Sequence, residues 1–74
     1  MPKLPSVSSQ QIARALERAG FILDRTSGSH RIYYNPVTGK KAIVPIHTKD
    51  MPKGTLCKLL KEAGIDRDKF DDLL

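Results

Sequence analysis

A histidine follows a Gly-Ser pair in the stretch TSGSHRIYY, which begins at Thr26. Gly-Ser is a turn signal, so the pattern places His30 where a turn enters a strand. Histidine is suited to general base catalysis because its unperturbed pKa of about 6.5 lies close to neutral pH. The spacing alone leaves two interpretations open for His30, which are a solvated turn residue and a catalytic base.

The residues around this histidine also have two interpretations each. Gly28 and Ser29 can form the turn, and they can also bind a phosphate, because glycine permits close approach and serine donates a hydrogen bond. If the strands that flank residues 35–40 pair with each other, His47 lies near His30. A shift of the pairing register by one residue decides whether the two side chains share a face of the sheet. His47 is then either an acid or phosphate contact, or a solvated residue at a strand end.

Four lysines follow the third apolar stretch of the chain, at Lys49, Lys53, Lys58 and Lys61. They form either a solvated helix face, which is the usual role of such charges, or a track for phosphates beside His30. Tyr33 and Tyr34 point to opposite sides of their strand, so at least one of them is expected to be partly exposed. No group of carboxylates has the spacing of metal ligands, which argues against a two-metal nuclease and predicts no metal or cofactor.

The composition favours a polyanionic partner. Thirteen Lys and Arg against eight Asp and Glu give a net charge of +5 in a chain of 74 residues. Such a charge attracts nucleic acid, although it also serves solubility. A core of this size is thin and leaves no room for a large enclosed substrate pocket, so we expect an open surface site.

The sequence carries no signal for oxidation, export or membrane insertion. Cys57 is the only cysteine, which excludes an internal disulfide and a Cys/His zinc motif. The longest apolar run, residues 42–46, is too short to span a membrane. The N-terminus lacks the apolar core of a signal peptide. We therefore expect a cytoplasmic protein without a membrane anchor.

The first regular element predicted is a helix over residues 8–19. Ser8 and Gln11 have the spacing of a capping box, and Val7 and Ile12 have that of a hydrophobic staple. Apolar residues then recur with helical spacing along one face. The glycine that follows this pattern predicts a left-handed helix end, onto which the next phenylalanine can fold back.

Three strands follow, predicted over residues 21–25, 30–34 and 41–46. The first strand places Phe21 and Leu23 on one face, and the composition of residues 35–39 predicts a loop between the second and third strands. Pro45 predicts that the third strand lies at the sheet edge or ends there. The short connections predict an antiparallel meander.

A polar segment at 47–52 precedes a second helix, whose apolar face is formed by Leu56, Leu59, Leu60 and Ala63. Gly64 ends this helix, and Asp66 caps a short helical tail over residues 66–74. Residues 1–7 are an irregular lead-in, and the whole chain, 1–74, is predicted to be a single domain.

The predicted fold is therefore α+β, in the order α-β-β-β-α with a helical tail. Two helices cover one face of a three-stranded antiparallel sheet, and the other face stays open. Double-stranded RNA-binding domains have the same order of elements. Fold alone does not decide function, however.

Four short motifs stand in order along the chain. They are Gly20-Phe21, Gly28-Ser29-His30, Val44-Pro45-Ile46-His47, and Gly54-Thr55-Leu56 with Leu60-Lys61-Glu62-Ala63-Gly64. In this order, and over about residues 8–70, the sequence resembles the HicA family of mRNA interferase toxins. No single motif is specific, but the ordered set in a chain of this length is.

The resemblance implies a fold like that of double-stranded RNA-binding domains. It also implies metal-independent RNA cleavage by the histidine of the Gly-Ser-His motif, and a HicB antitoxin that masks this histidine. Some members of the family carry a second histidine directly after the first. Here that position is Arg31, so His30 is the one histidine of the motif and Arg31 can supply positive charge to the substrate.

Three functions from different classes fit these observations. The first is an endoribonuclease toxin of a type II toxin–antitoxin pair, which cleaves mRNA; the second is a non-catalytic RNA-binding module; the third is a small protein whose basic face docks an acidic partner. Only the first requires the imidazole of His30. In the first case the expected partner is an acidic HicB-type antitoxin that covers His30. Its main contacts are expected to be Lys53, Lys58 and Lys61. Any oligomer is expected to form through that complex.

Overall fold

Three helices and three strands form the described part of the chain. The computed structural model describes residues 6–46 and 51–74. The elements are α1 (Ser9–Arg18), β1 (Ile22–Ser27), β2 (His30–Tyr34), β3 (Lys41–Pro45), α2 (Lys53–Ala63) and α3 (Arg67–Leu73). The predicted α+β class and the order α-β-β-β-α with a helical tail are confirmed. Within the described residues, no helix is long and apolar enough to cross a membrane.

The start of α1 is fixed by the predicted capping box. The Ser8 hydroxyl accepts a hydrogen bond from the Gln11 N–H at 3.3 Å, and the Gln11 side-chain oxygen accepts one from the Ser8 N–H at 2.9 Å. Val7 and Ile12, the predicted staple, are both buried. The two reciprocal bonds satisfy N–H groups that a helix start otherwise leaves free, which explains why the helix begins here.

Both long helices end at a glycine with a left-handed backbone. Gly20 has φ 98° and Gly64 has φ 73°. The next residue in each case, Phe21 or Ile65, donates its N–H to the carbonyl of a leucine five positions earlier at 2.9 Å. This bond turns the chain back onto the helix and buries the apolar side chain that follows the glycine.

The strands form one antiparallel sheet in the order β1-β2-β3, so β3 is an edge strand as Pro45 predicted. The buried side chains of β2 and β3 are Tyr33, Ala42 and Val44, which alternate with exposed or half-buried neighbours. Both α1 and α2 contact β3, and together with these three side chains they form the core. One face of the sheet is therefore covered by helices and the other is open.

The predicted first strand is wrong at both ends. Phe21 is buried but precedes β1, because its N–H closes the end of α1. Leu23 is 51% exposed, and all six residues of β1 are exposed. The pairing with β2 shifts by one residue between Leu23 and Arg25, which is a β-bulge. The prediction that Phe21 and Leu23 lie on one face of the first strand is therefore wrong.

The helical tail completes the core. The Asp66 carboxylate accepts a hydrogen bond from the Lys69 N–H at 2.8 Å and so caps α3, as predicted. Phe70 is the largest of the fully buried side chains among the described residues. The Arg18 guanidinium at the end of α1 donates to the Leu73 carbonyl at 2.6 Å, which fixes α3 against α1.

The Asn35 side chain joins the loop between β2 and β3 to the end of α1. Its carboxamide oxygen accepts hydrogen bonds from the N–H groups of Val37 at 2.9 Å and Thr38 at 3.3 Å. Its carboxamide nitrogen donates to the Ala19 carbonyl at 3.4 Å, so it also reaches the end of α1. Asn35 is only 6% exposed. The sequence predicted a loop here but not this cross-link, which ties the loop to the first helix.

Asn35→Ala is expected to lower the free energy of unfolding by about 1–3 kcal/mol, because it leaves three backbone polar groups without their partner. Urea unfolding followed by circular dichroism measures this change. The matched control is Val37→Ala in the same loop. The Val37 side chain is 90% exposed, so its removal should change stability by less than about 0.5 kcal/mol. Equal effects of the two substitutions would contradict the cross-link.

Candidate functional site

The turn before His30 is a two-residue hairpin turn. Ser27 pairs with His30, which leaves Gly28 and Ser29 as the turn residues. Gly28 has φ 59°, and no residue other than glycine has a positive φ among those described, so the turn matches type II′. The turn geometry requires the glycine. Nothing lies within 4 Å of where a Gly28 side chain would be, so the backbone is open to an approaching group.

His30 is the exposed first residue of β2, and bonds on either side hold its strand. It lies directly opposite Pro45 of β3. The Ile46 N–H donates to the Ser29 carbonyl at 2.6 Å, and the Ser9 hydroxyl donates to the Pro45 carbonyl at 2.6 Å. The first bond joins the turn to the end of β3, and the second joins β3 to the first turn of α1. The backbone that presents the imidazole is thus braced by two other elements.

Alternation along β2 separates His30 from Arg31. Side chains at successive strand positions point to opposite faces. Arg31 shares a face with the buried Tyr33, which is the helix-covered face, whereas His30, Ile32 and Tyr34 share the open face. Tyr33 is 4% exposed and Tyr34 is half-buried, which confirms that one of the two tyrosines is partly exposed. Both residues still lie at the hairpin end of the sheet.

The described lysines of α2 are exposed, but they lie at different distances from the hairpin. A side chain at Gly64, which follows α2, would meet the Lys40 side chain, which precedes β3. α2 therefore runs antiparallel to β3, and Lys53 lies at the end of the sheet that carries His30. At 1.5 Å per helical residue, Lys58 and Lys61 lie about 7.5 and 12 Å further along the axis.

These positions alter the predicted set of residues in part. Gly28, Ser29, His30 and Arg31 are together at the hairpin, and Lys53 is at the same end of the fold. Lys58 and Lys61 extend away from it on the layer across the sheet from the open face. His47 and Lys49 lie outside the described residues. Among the residues described, no three His, Cys, Asp or Glu side chains are grouped so that they could hold a metal ion.

Ser9 is a supporting residue that the sequence interpretation missed. Its hydroxyl holds the carbonyl of Pro45, the residue opposite His30. A signal was present, because Ser9 stands three and four positions before Ile12 and Ala13, on the apolar face of α1. A polar side chain on such a face usually has a specific buried partner.

The arrangement offers one exposed imidazole beside an open backbone turn on a basic surface. Such a site can accept a proton from a group on a macromolecule that reaches it from solvent. Lysines and arginines near it favour an anionic substrate.

A comparison with protein families gives a match over most of the chain. Residues 9–65 match the model of a family described as "HicA toxin of bacterial toxin-antitoxin". This range begins at the first residue of α1, includes all three strands and α2, and ends at Ile65. It contains the hairpin turn, His30 and Lys53. A search of curated proteins gives no match.

Gly28→Ala is expected to destabilise the protein by about 1–2 kcal/mol, because an alanine at φ 59° is strained. The matched control is Gly54→Ala in α2. A methyl group there meets nothing within 4 Å and the position is helical, so this substitution should stabilise by about 0.4–1 kcal/mol. Urea unfolding measures both. Stabilisation by Gly28→Ala would exclude the type II′ turn.

Proposed function

Because the chain belongs to the HicA toxin family of bacterial toxin–antitoxin systems, we propose that it is an endoribonuclease that cleaves mRNA with His30 as the catalytic base. The observation that supports this most is the position of His30, which is exposed on a braced strand beside an open turn. The order of elements, which matches that of double-stranded RNA-binding domains, and the charge of +5 support an RNA substrate.

The proposed reaction needs only a base, charge stabilisation and orientation. The imidazole of His30 takes the proton from a ribose 2′-OH, and the 2′-oxygen attacks the adjacent phosphorus. The bond from phosphorus to the 5′-oxygen breaks, and that oxygen takes up a proton from the imidazolium or from water. The products are a 2′,3′-cyclic phosphate and a free 5′-OH. Both the nucleophile and the leaving group belong to the RNA, so no metal ion is required.

The residues around His30 have supporting roles in this proposal. The Gly28 backbone permits a phosphate to approach the turn, and Ser29 donates a hydrogen bond to it. Arg31 and Lys53 supply positive charge at the same end of the sheet, which attracts the phosphates of the RNA to this end of the fold. His47, Lys49, Lys58 and Lys61 are assigned to the path of the RNA beyond the cleaved bond.

The regulation of this activity follows from the exposure of His30. An accessible nuclease base cannot be shielded by its own fold, so an active copy in the cytoplasm requires an inhibitor. We assign this role to an acidic HicB-type antitoxin that masks His30. The alternative function is a non-catalytic RNA-binding module, which the basic charge and the order of elements support equally well. The two functions differ in whether the imidazole is needed.

His30→Ala is expected to lower RNA cleavage by about 10²–10⁴-fold, the usual contribution of a general base, and to abolish toxicity on induction. His30 is exposed, so the substitution should change the free energy of unfolding by less than about 0.5 kcal/mol. Cleavage is measured on a defined transcript by gel electrophoresis, and toxicity by growth. Val37→Ala, at the opposite end of the sheet, should leave both unchanged.

The same assay also tests the chemistry. Cleavage by the unaltered chain should persist in excess EDTA, and the 5′ fragment should end in a 2′,3′-cyclic phosphate or its hydrolysis product. Undiminished cleavage by folded His30→Ala would remove the assignment of the base, and a strict magnesium requirement would contradict the mechanism.

Lys53→Ala is expected to weaken RNA binding more than Lys61→Ala, because Lys53 lies at the end of the sheet that carries His30. Binding of a single-stranded RNA is measured between about 50 and 200 mM salt in the His30→Ala background, which prevents cleavage. Loss of one phosphate contact should reduce the slope of log K against log salt by about 0.7. Equal effects at Lys53 and Lys61 would instead support a continuous lysine track along α2.

A further inference from the structure

A groove lies where α2 ends and α3 begins. Its volume is about 470 Å³, which is within the range of small-ligand sites. Leu60 and Ile65 line it and are buried, so they form an apolar floor, and Cys57 lies exposed at one side. Because α2 runs from the hairpin end of the sheet toward the loop before β3, the groove lies at the end of the fold opposite His30.

A missing side chain keeps this groove open. Gly64 lines the groove, and a Cβ atom at this position would lie 2.7 Å from the Cδ atom of Lys40 and 3.6 Å from its Nζ atom. The Lys40 side chain therefore passes close to the Gly64 backbone. Its ammonium group lies beside the groove, although Lys40 precedes β3 and is 24 positions away along the chain.

The charges at the groove are mainly positive. Lys61 and Arg67 line it and are exposed, and Lys40 lies beside it. Asp66 also lines the groove, but its carboxylate accepts the hydrogen bond from the Lys69 N–H that caps α3. Three positive charges and one negative charge leave a net charge of +2 among these described residues. An apolar floor with a basic rim favours a ligand that has an apolar body and an anionic head group.

We infer that this groove is a binding site for a small amphipathic carboxylate. The apolar body of the ligand lies on Leu60 and Ile65, and its carboxylate meets Lys61 and Arg67. A guanidinium can donate two parallel hydrogen bonds to a carboxylate, which orients the head group. The cost of desolvating an ion rises steeply with its charge, so a carboxylate suits an apolar floor better than a doubly charged phosphate does.

Other classes of ligand fit the groove less well. None of the seven described residues that line it is aromatic, so it offers no ring on which an RNA base could stack. A stable protein interface uses about 20–30 residues on each side, which is far more than this groove supplies. The site is also separate from His30, so the inference goes beyond the proposed nuclease and does not depend on it.

Octanoate is the probe that tests the inference. In a titration followed by NMR of the backbone amides, octanoate is expected to shift the signals of Cys57, Gly64 and Arg67 in a saturable way. Lys61→Gln and Arg67→Gln should each weaken binding by about two- to fivefold, the range of an exposed ion pair. Cys57→Trp should abolish binding, because the indole fills the groove. The matched control is Lys58→Gln, which removes a charge from an exposed residue of α2 that does not line the groove and should bind normally.

Two further ligands separate the contributions of charge and apolar surface. Octylammonium has the same apolar body with the opposite charge, and acetate has the same charge without the body, so neither should shift these amides. Equal binding of octanoate and octylammonium, or of octanoate and acetate, overturns the inference. Tighter binding of octyl phosphate than of octanoate overturns the assignment of a carboxylate.

The same variants separate this site from the proposed function. Circular dichroism and urea unfolding establish that each variant is folded, and Arg67→Gln keeps the test decisive if Cys57→Trp does not fold. Folded Cys57→Trp should cleave a transcript as the unaltered chain does, because Cys57 lies at the opposite end of the fold from His30. If the unaltered chain cuts no RNA but binds octanoate at the groove, the proposed function fails alone. Unchanged octanoate binding by folded Cys57→Trp and Arg67→Gln overturns the inference alone.

Discussion

The register between β2 and β3 is the constraint on which both faces of the sheet depend. Directly opposed residues share a face, so the pairing of His30 with Pro45 decides where every other side chain of the two strands points. The Asn35 N–H holds the register at the loop end, through its bond to the carbonyl of the residue before β3 at 2.9 Å. The bond from Ile46 to Ser29 holds it at the hairpin end. A slip by one residue in β3 would put Ile43 in the core and Val44 in solvent.

Local chemistry made most of the fold predictable. Helix starts and ends follow from hydrogen bonds between residues a few positions apart, so Ser8, Gln11, Gly20 and Gly64 could be assigned from the sequence alone. The second strand was predicted with the bounds that the structure has. β1 was less predictable, because its bulge is a property of the pairing with β2. A pattern within one strand does not show a register shift against another.

The turn before His30 was predictable from the sequence, whereas the arrangement of the residues around it was less so. The Gly-Ser-His turn could be identified because turn, strand start and histidine are adjacent in sequence. The separation of His30 from Arg31 by the sheet follows from alternation, but which of them faces the helices depends on long-range packing. The role of Ser9 depends on a hydrogen bond across 36 positions of the chain, which no local pattern shows. The sequence left open a position beside His30 for all the lysines of α2. Only the packing of α2 against β3 shows that Lys58 and Lys61 lie further from the hairpin, because no local pattern encodes the direction of a helix relative to a strand.

The bulge in β1 affects how readily this edge strand can pair with a strand of another molecule. β1 is an edge strand, and all six of its residues are exposed, so its outward backbone groups could pair with a strand of another molecule. The shift between Leu23 and Arg25 interrupts the regular spacing that such pairing requires, and charged side chains stand at positions 24 and 25. A neighbouring molecule therefore meets an irregular, charged strand where a flat apolar one would promote aggregation. The same short segment that breaks the alternation of β1 thus helps to keep the free chain from assembling edge to edge.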